Sequence, residues 1–382
     1  MLESVQPVRQ TPARGPQAPA TRILSLSRRP DVAGKLAASL GDEYRVVHTA
    51  ELKEAIRHLR RVKPDLVVVG PHVPVLDAQL LFQSVRSLDS SKQTGFVMLI
   101  SRPDQELISR AYESGVDLVL TLPATADSVA NHLRATHARM KLGSEFDDLL
   151  TPDRLPTFEG YQTDYYRRPL SPGGGDLMTW FDAPDGSFYV AIADVEGKGI
   201  RAGSFAFAYQ GYIRSAILTC VDQGRGAPSE VLSVVNRLAT EDPMLSGKHF
   251  SIVLMRWDRQ NHLVTYANAG HCEPLLLSST RTGFRKTGEI PVGLLSDTVF
   301  HDEILSLGPG EAILLYTDGL TELRSQDGAL AGTELLVTIA REAPTLQDLA
   351  ESLLAASGRQ HFDDDVMIFR LKREGGEEPA AL

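Results

Sequence analysis

The sequence predicts two folded parts, an α/β part with a doubly wound parallel sheet over residues 21–141 and an α+β sandwich over residues 158–373. The first prediction rests on five short apolar runs that alternate with amphipathic helical stretches, the rhythm of successive βα units. The second rests on strands that come in runs, with helices inserted between them in blocks. A third observation, four short acidic motifs in the second part, indicates where its chemistry lies.

Each predicted strand is a short run rich in β-branched, leucine or aromatic residues. In the first part the strands are 22–26, 44–48, 66–69, 96–100 and 118–120, and helices fill the intervals, the last over about 125–140. In the second part the strands are 161–168, 187–193, 249–257, 263–268, 273–277, 312–316 and 366–372, and the helices are 200–220, 228–240, 334–341 and 346–357.

The remaining stretches are predicted to be a connector and two tails. Residues 142–157 form the connector, because Gly143 and Ser144 interrupt the helical pattern and Pro152 and Pro156 punctuate it. Residues 1–20 are rich in Pro, Arg, Gln and Ala without an apolar stretch, so a disordered tail is expected and not a signal peptide. Residues 374–382 are expected to form a second disordered tail.

Composition argues against a nucleic-acid-binding protein, a membrane-spanning protein and a cysteine-based metal or redox site. The 382 residues carry a net charge of -10, which argues against a nucleic-acid partner, since such a partner requires clustered Lys and Arg. The longest apolar run, over 66–76, contains glycine, histidine and prolines, so no membrane span is expected. The two cysteines, Cys220 and Cys272, belong to no metal or redox motif, which fits a reducing cytoplasm.

The four acidic motifs occur in a fixed order along the second part. They are Gly-Gly-Gly-Asp ending at Asp176, Asp-Val-Glu-Gly-Lys-Gly starting at Asp194, Thr-Asp-Gly around Asp318, and Asp-Asp-Asp-Val over 363–366. Taken singly, such matches are most often turns or solvated loops. Because each aspartate adjoins an apolar run, the four carboxylates are expected to meet at one edge of a sheet, where their repulsion requires cations.

Oxygen ligands of this kind suit two Mn²⁺ or Mg²⁺ ions, which keep several waters and need few carboxylates. In this arrangement Asp194 bridges the two ions, the carbonyl of Val195 completes one of them, Asp318 and Asp364 hold the second, and Asp176 acts through water. A water between two such ions is a nucleophile for attack on phosphorus. The motifs therefore predict hydrolysis of a phosphate ester.

Residues 145–373 resemble the metal-dependent protein phosphatases (PPM family), and within them the bacterial SpoIIE/RsbU type. Six stretches carry the resemblance: 173–176, 193–200, 266–271 (Tyr-Ala-Asn-Ala-Gly-His), 290–293 (Ile-Pro-Val-Gly), 315–322 (Leu-Tyr-Thr-Asp-Gly-Leu-Thr-Glu) and 364–366. The resemblance implies an α-β-β-α sandwich whose metal ligands are Asp194, the Val195 carbonyl, Asp318 and Asp364, with Asp176 as the first-motif acid. Since three aspartates are consecutive, Asp363 and Asp365 leave a one-residue ambiguity at the last ligand, with Asp365 as the register alternative to Asp364.

The resemblance also implies a substrate. It would be a phosphoserine or phosphothreonine of a STAS-type anti-sigma-factor antagonist in a partner-switching pathway, with the opposing kinase a separate protein. Two alternatives remain open at this point. One is a non-catalytic adaptor that binds a protein of a sigma-factor pathway, and the other is hydrolysis of a small phosphorylated metabolite by the same metals.

Residues 21–141 resemble a receiver domain of two-component signalling in their βα rhythm and in the stretches 64–69, 115–117 and 122–123. Where receivers carry an acidic pair, this chain has Ser27 and Arg28, and where they carry the phosphoacceptor aspartate it has Gly70. The first part is therefore interpreted as a receiver-like domain that cannot be phosphorylated. Asp77 is a rival phosphoacceptor, but an N-terminal helix cap is the favoured interpretation.

Without a phosphorylation site, the receiver-like part is expected to respond to a bound partner or ligand, or to mediate a homodimer. The hypothesis is that the helix over 125–140 and the connector transmit packing changes to the helix beginning near Ile200. Such changes would alter the order of the metal site.

Overall fold

We describe a computed structural model of the chain. It describes residues 21–88, 94–102, 104–113, 116–151, 154–170, 172–197, 199–245, 247–284, 288–324, 330, 332–359 and 362–375. The first predicted tail, 1–20, lies outside these residues, and so does the second apart from residues 374 and 375. Their predicted disorder stays a prediction.

Five parallel strands form the sheet of the first part in the order β2-β1-β3-β4-β5, which is a flavodoxin-like, doubly wound order. The predicted strands are confirmed to within one residue. The elements are β1 Thr21–Leu26, α1 Pro30–Leu40, β2 Tyr44–Thr49, α2 Leu52–Val62, β3 Leu66–Val69, α3 Val75–Leu88, β4 Gly95–Ile100, α4 Gln105–Glu113, β5 Leu118–Thr121 and α5 Ala126–Leu150.

Helices cover both faces of this sheet. Ile23 packs with residues of α1 and α5, whereas the next residue, Leu24, packs with residues of α2 and α3. Successive strand residues point to opposite faces, so a strand covered on both sides must be apolar at every position. The unbroken run Leu66–Val69 satisfies that requirement and is fully buried.

Gly70 follows β3 at the position where receivers carry the phosphoacceptor aspartate, and the structure leaves no room there for a side chain. A Cβ atom placed on Gly70 would lie 2.6 Å from Oγ of Ser27, which is completely buried. An aspartate at position 70 would clash with Ser27, and it would have no neighbouring carboxylates among the described residues with which to bind a metal ion. Asp77, predicted to cap the next helix, lies within the first turn of α3 instead, where its charge complements the helix dipole.

Helix α5 corrects the predicted connector. The helix is capped by Thr125, whose Oγ1 accepts a hydrogen bond from the Ser128 N–H at 3.1 Å, and it continues for 25 residues to Leu150. The predicted break at Gly143 is wrong. A Cβ atom on Gly143 would lie 2.6 Å from Cβ of Pro172, so this glycine permits close packing of the helix against a loop of the second part. The stretch 142–150 is therefore helix.

The second part consists of two five-stranded antiparallel sheets, in the orders β13-β10-β9-β8-β7 and β12-β11-β14-β15-β6. The strands are β6 Tyr161–Arg168, β7 Asp176–Asp182, β8 Phe188–Val195, β9 Phe250–Asp258, β10 Leu263–Ala269, β11 Leu275–Leu277, β12 Gly283–Phe284, β13 Glu303–Ser306, β14 Ala312–Tyr316 and β15 Val366–Arg373. The helices are α6 Ile200–Asp222, α7 Pro228–Glu241, α8 Gly332–Glu342 and α9 Leu346–Ser357, with one turn of 3₁₀ helix at Asp318–Leu320.

The two sheets face each other across one apolar core that includes Met178, Trp257 and Phe369. A second core packs α6 and α7 onto the outer face of the first sheet, and a third packs α8 and α9 onto the outer face of the second. The result is the four-layered α-β-β-α sandwich that the sequence predicted. Strands β7, β12 and β13 were not among the predicted strands.

Among the described residues, every helix is too short or too polar to cross a lipid bilayer.

Candidate metal centre

The first sheet positions Asp176 and Asp194. Asp176 begins β7 and Asp194 is the penultimate residue of β8, and the two residues are direct partners across this antiparallel pair. Directly opposite residues carry their side chains on the same face of a sheet. Their carboxylates therefore share one face at one edge.

The second sheet positions Asp318 and Asp364 in an equivalent way. Asp318 follows the end of β14 and Asp364 precedes the start of β15, and these neighbouring strands are antiparallel. The end of one therefore adjoins the start of the other. Thr317 fixes the junction, since its N–H donates to the Met367 carbonyl at 3.0 Å and its Oγ1 accepts from the Met367 N–H at 2.9 Å.

The edges of the two sheets meet at one cleft of about 180 Å³, which Asp176, Asp194, Asp318, Asp364 and Asp365 all line. The sequence motifs predicted this convergence. Leu170 and glycines of the first two motifs complete the described lining. Val195 does not line the cleft. Its carbonyl oxygen lies against Gly175, and Gly175 is one of the lining residues.

Glycines are required where backbone segments approach the aspartates. A Cβ atom on Gly174 would overlap the Asp365 carboxylate, and one on Gly175 would overlap the Val195 carbonyl oxygen. A Cβ atom on Gly319 would overlap the carbonyl oxygen of Asp365. These three positions explain why glycine precedes or follows the aspartate in two of the motifs.

Burial and mutual repulsion raise the pKa values of four carboxyl groups in the cleft, those of Asp176, Asp194, Asp318 and Asp365. Burial raises the pKa of Asp176 well above its ordinary value, and the charges of Asp365 and Asp194 add to the effect. Burial, followed by the charges of Asp318 and Asp364, raises the pKa of Asp194 to about 7. Burial also raises the pKa of Asp365 to about 6. Protein groups alone do not neutralise this cluster.

The residues fit a pair of hard cations. Oδ2 of Asp176 is buried without a hydrogen-bond partner, which is the state of a ligand atom that awaits a cation or its water. Within the described part of the chain, no three acidic, histidine or cysteine side chains are grouped closely enough to hold one ion by themselves. Mg²⁺ commonly takes only one or two carboxylates and keeps its other ligands as water. A shell shared between protein and water is therefore the arrangement that this cleft suits.

Asp364 and Asp365 have different hydrogen-bond partners. Oδ1 of Asp365 accepts a hydrogen bond from the Leu170 N–H at 2.6 Å, and its Oδ2 lies against Gly174. Asp365 therefore holds the loop that leads to Asp176. Oδ1 of Asp364 accepts a hydrogen bond from the neighbouring Asp365 N–H at 2.9 Å.

Sequence reasoning missed the link between this loop and α5. Arg167 forms an ion pair with the buried Asp147 of α5, and the Gly173 N–H also donates to Asp147. Burial raises the pKa of Asp147, and the charge of Arg167 opposes that shift. No local pattern reveals such a contact, because twenty residues separate its partners.

The Asn-Ala-Gly-His motif forms a turn that is held by hydrogen bonds between Asn268 and His271. The His271 N–H donates to Oδ1 of Asn268 at 2.8 Å, and Nδ2 of Asn268 donates to the His271 carbonyl at 3.0 Å. The imidazole is buried next to Oγ of Ser251, and burial lowers its pKa to about 4. At neutral pH it is uncharged and has a structural role.

Comparison with known proteins connects this cleft to a family. The model of the family "Stage II sporulation protein E (SpoIIE)" matches residues 184–374, half of the chain. Protein IcfG of Synechocystis sp. is 21% identical over 79% of this chain and 52% of its own length. Phosphoserine phosphatase RsbU of Bacillus subtilis is 25% identical over 58% of this chain and 62% of its own length. The chain thus spans between half and two thirds of these curated relatives.

A solved structure shows the same fold. The SiaA-PP2C domain of Pseudomonas aeruginosa, at 18% identity, superimposes with a TM-score of 0.53 over 64% of this chain and 99% of that domain.

Proposed function

The chain belongs to the SpoIIE family, and on that premise we propose that its second part is a metal-dependent phosphatase for phosphoserine or phosphothreonine in a regulatory protein. One observation carries this proposal: five aspartates from both sheets line a single cleft, in which burial raises the pKa of Asp194 to about 7 and Oδ2 of Asp176 is buried without a hydrogen-bond partner. The proposal is also supported by the relative that is named a phosphoserine phosphatase.

In the proposed centre, Asp194, Asp318, Asp364 and the Val195 carbonyl would hold two Mn²⁺ or Mg²⁺ ions, with Asp176 acting through water. When bound, such ions acidify a water for attack on phosphorus and neutralise charge that develops on the phosphate. Asp365 keeps its structural contact with Leu170 and fixes the loop behind Asp176.

The rest of the cleft supports direct attack by water. Its described lining contains no serine, cysteine or histidine that would form a covalent intermediate. Gly175, Gly197 and Gly199 add no side chains to the described lining, which leaves room for a phosphate group beside the aspartates once cations are present. The cleft volume suits a phosphorylated side chain better than a large metabolite.

For the substrate we propose a phosphorylated STAS-type anti-sigma-factor antagonist, following the family resemblance. The receiver-like part is proposed to regulate this activity through α5. That helix begins on the first sheet and contacts the loop of Asp176 through Gly143 and Asp147. A change in the first part that shifts α5 would therefore move the loop.

The test is release of inorganic phosphate from three substrate classes: a phosphorylated STAS protein, phosphoserine and phosphothreonine peptides, and small phosphorylated metabolites. We expect Mn²⁺-dependent turnover that is fastest with the protein and that Asp194→Asn abolishes. Gly211→Ala, at a position of α6 with open space around it, is the matched control and should turn over normally. Binding of the STAS protein without turnover would instead establish the adaptor, and preference for a metabolite would exclude the proposed substrate.

A further inference from the structure

A cavity of about 570 Å³ lies between the two parts of the chain, and no step of the proposed reaction uses it. One wall comes from α3, β4 and α4 of the first part, and the other from Leu170 and the segment around Phe362. We propose that this cavity binds a small, uncharged heteroaromatic molecule and that its occupant changes the metal affinity of the aspartate cleft.

The size and wall chemistry suit such a ligand. Small-molecule sites are commonly concave spaces of roughly 300–1,000 Å³ that are largely apolar with a few polar groups. Here Phe82, Phe96, Met98 and Phe362 line the space. The rings of Phe82 and Phe96 meet edge to face at 5.1 Å between centroids and are 5% and 0% exposed, so they form a fixed apolar wall against which a flat, rigid ligand can pack.

The polar groups favour a ligand without net charge. Arg110 forms an ion pair with Glu106 at 2.7 Å, and Arg359 forms one with Asp363, so the charged side chains of the lining largely compensate one another. The amide groups of Gln79 and Gln83 add neutral donors and acceptors, such as those that pair with the edge of a heterocycle.

The cavity adjoins the metal centre through two residues. Leu170 lines both the cavity and the aspartate cleft, and its N–H donates to Asp365 at 2.6 Å. Asp363, on the same wall of the cavity as Leu170, directly precedes Asp364. A molecule that shifts either residue would shift the cleft carboxylates. The link to metal affinity rests on the metal centre of the proposed function, whereas binding of the ligand does not.

The test is a screen of indole, quinoline, benzimidazole and adenine against the full-length chain by ligand-observed NMR. For any compound that binds, Kd is measured with saturating Mn²⁺ and in EDTA, and the Mn²⁺ Kd is measured with and without the compound. We expect at least about a fivefold change, and linkage requires both affinities to change by the same factor.

Substitutions on α3 locate the binding. Gln79→Trp and Gln83→Trp place an indole in the cavity and should each weaken binding more than tenfold, whereas Leu80→Trp on the exposed face of α3 should leave it unchanged. Thermal unfolding checks that all three variants fold. If either Gln79→Trp or Gln83→Trp fails to fold, the other variant still tests the site. Failure of all four compounds to bind, equal binding to the filled variants, or binding without the Mn²⁺ linkage would overturn the proposal. Linked binding in a chain without phosphatase turnover would contradict only the proposed function.

Discussion

At the scale of single residues, the aspartate cleft concentrates negative charge in a largely buried place. Asp176 and Asp194 face each other across β7 and β8, and Asp318 and Asp364 close the cleft from the other sheet. Without cations, the carboxyl groups must take up protons or repel one another. The centre is therefore a source of instability in the metal-free chain and of affinity in the loaded one.

The raised pKa values predict how the stability of the metal-free chain depends on pH. The pKa values of Asp194 and Asp365 are about 7 and about 6, against an ordinary value of 3.8, so the folded chain binds protons that the unfolded chain has released. Their contribution to stability is present below pH 3.8 and is lost as the pH rises through about 6 and 7. Urea unfolding in EDTA should show a falling free energy of unfolding over this window, with a shallower fall in Asp194→Asn. A fall of the same slope in that variant would contradict the assignment.

Substitutions of the two adjacent aspartates, Asp364 and Asp365, should have different effects on Mn²⁺ affinity. Asp364→Asn removes a proposed ligand and should weaken Mn²⁺ binding more than about a hundredfold, whereas Asp365→Asn keeps an oxygen for the Leu170 N–H and should cost about tenfold or less. Isothermal titration with Mn²⁺ measures both. If Asp365→Asn proves the more damaging variant, Asp365 is the ligand.

Sequence motifs located the acidic residues because each motif is local and adjoins a strand. They did not reveal Leu170 or Asp147, since these act through contacts with residues distant in sequence. Nor did they distinguish Asp364 from Asp365. Consecutive residues share a motif but differ in orientation, which only the fold determines.

At the scale of elements, α5 joins the two parts and presses on the metal-site loop. Local sequence was misleading here, because glycine usually weakens a helix. Gly143 instead provides room for Pro172, and the favourable helix context over the rest of α5 outweighs its low propensity. Most strands were predicted closely because burial leaves a clear apolar run. The short β12 and β13 carry no such signal, and β7 was missed although its first four residues are buried.

Gly143→Ala tests this contact. The added Cβ would lie 2.6 Å from Pro172, so we expect the loop to shift, Mn²⁺ affinity to fall and overpacking to cost roughly 1–3 kcal/mol, partly offset by better helix propensity. Gly211→Ala in α6, where nothing lies within 4 Å of the new atom, should stabilise by roughly 0.5–1 kcal/mol with unchanged metal affinity. Chemical unfolding and metal titration of both variants measure the effects. Equal Mn²⁺ affinity in Gly143→Ala and the parent chain would show that α5 does not control the loop.

At the scale of the whole molecule, the two parts contact each other beyond α5. Nη2 of Arg168, at the end of β6, donates to the Arg86 carbonyl at 3.2 Å, and its guanidinium lies 5.8 Å from the centre of the Phe362 ring. The cavity lies beside these contacts. The order of strands and helices predicts an α+β sandwich, and the family resemblance implies its four layers. The docking of the two parts depends on side-chain contacts that no motif encodes.

Metal should stabilise the sandwich part. A ligand at a hundred times its Kd adds about 2.7 kcal/mol to the free energy of unfolding if it binds only the folded state. We expect Mn²⁺ to raise the unfolding temperature of the chain and to have no such effect on Asp194→Asn. A matching rise in that variant would place the bound metal elsewhere.

The central claim is that the aspartate cleft is a two-metal centre. Anomalous diffraction from crystals of the full-length chain soaked in Mn²⁺ tests it most directly. We expect two anomalous peaks within the cleft, between Asp194, Asp318 and Asp364, and none in crystals of Asp194→Asn. An empty cleft in crystals of the parent chain, or manganese bound only outside it, would contradict the account.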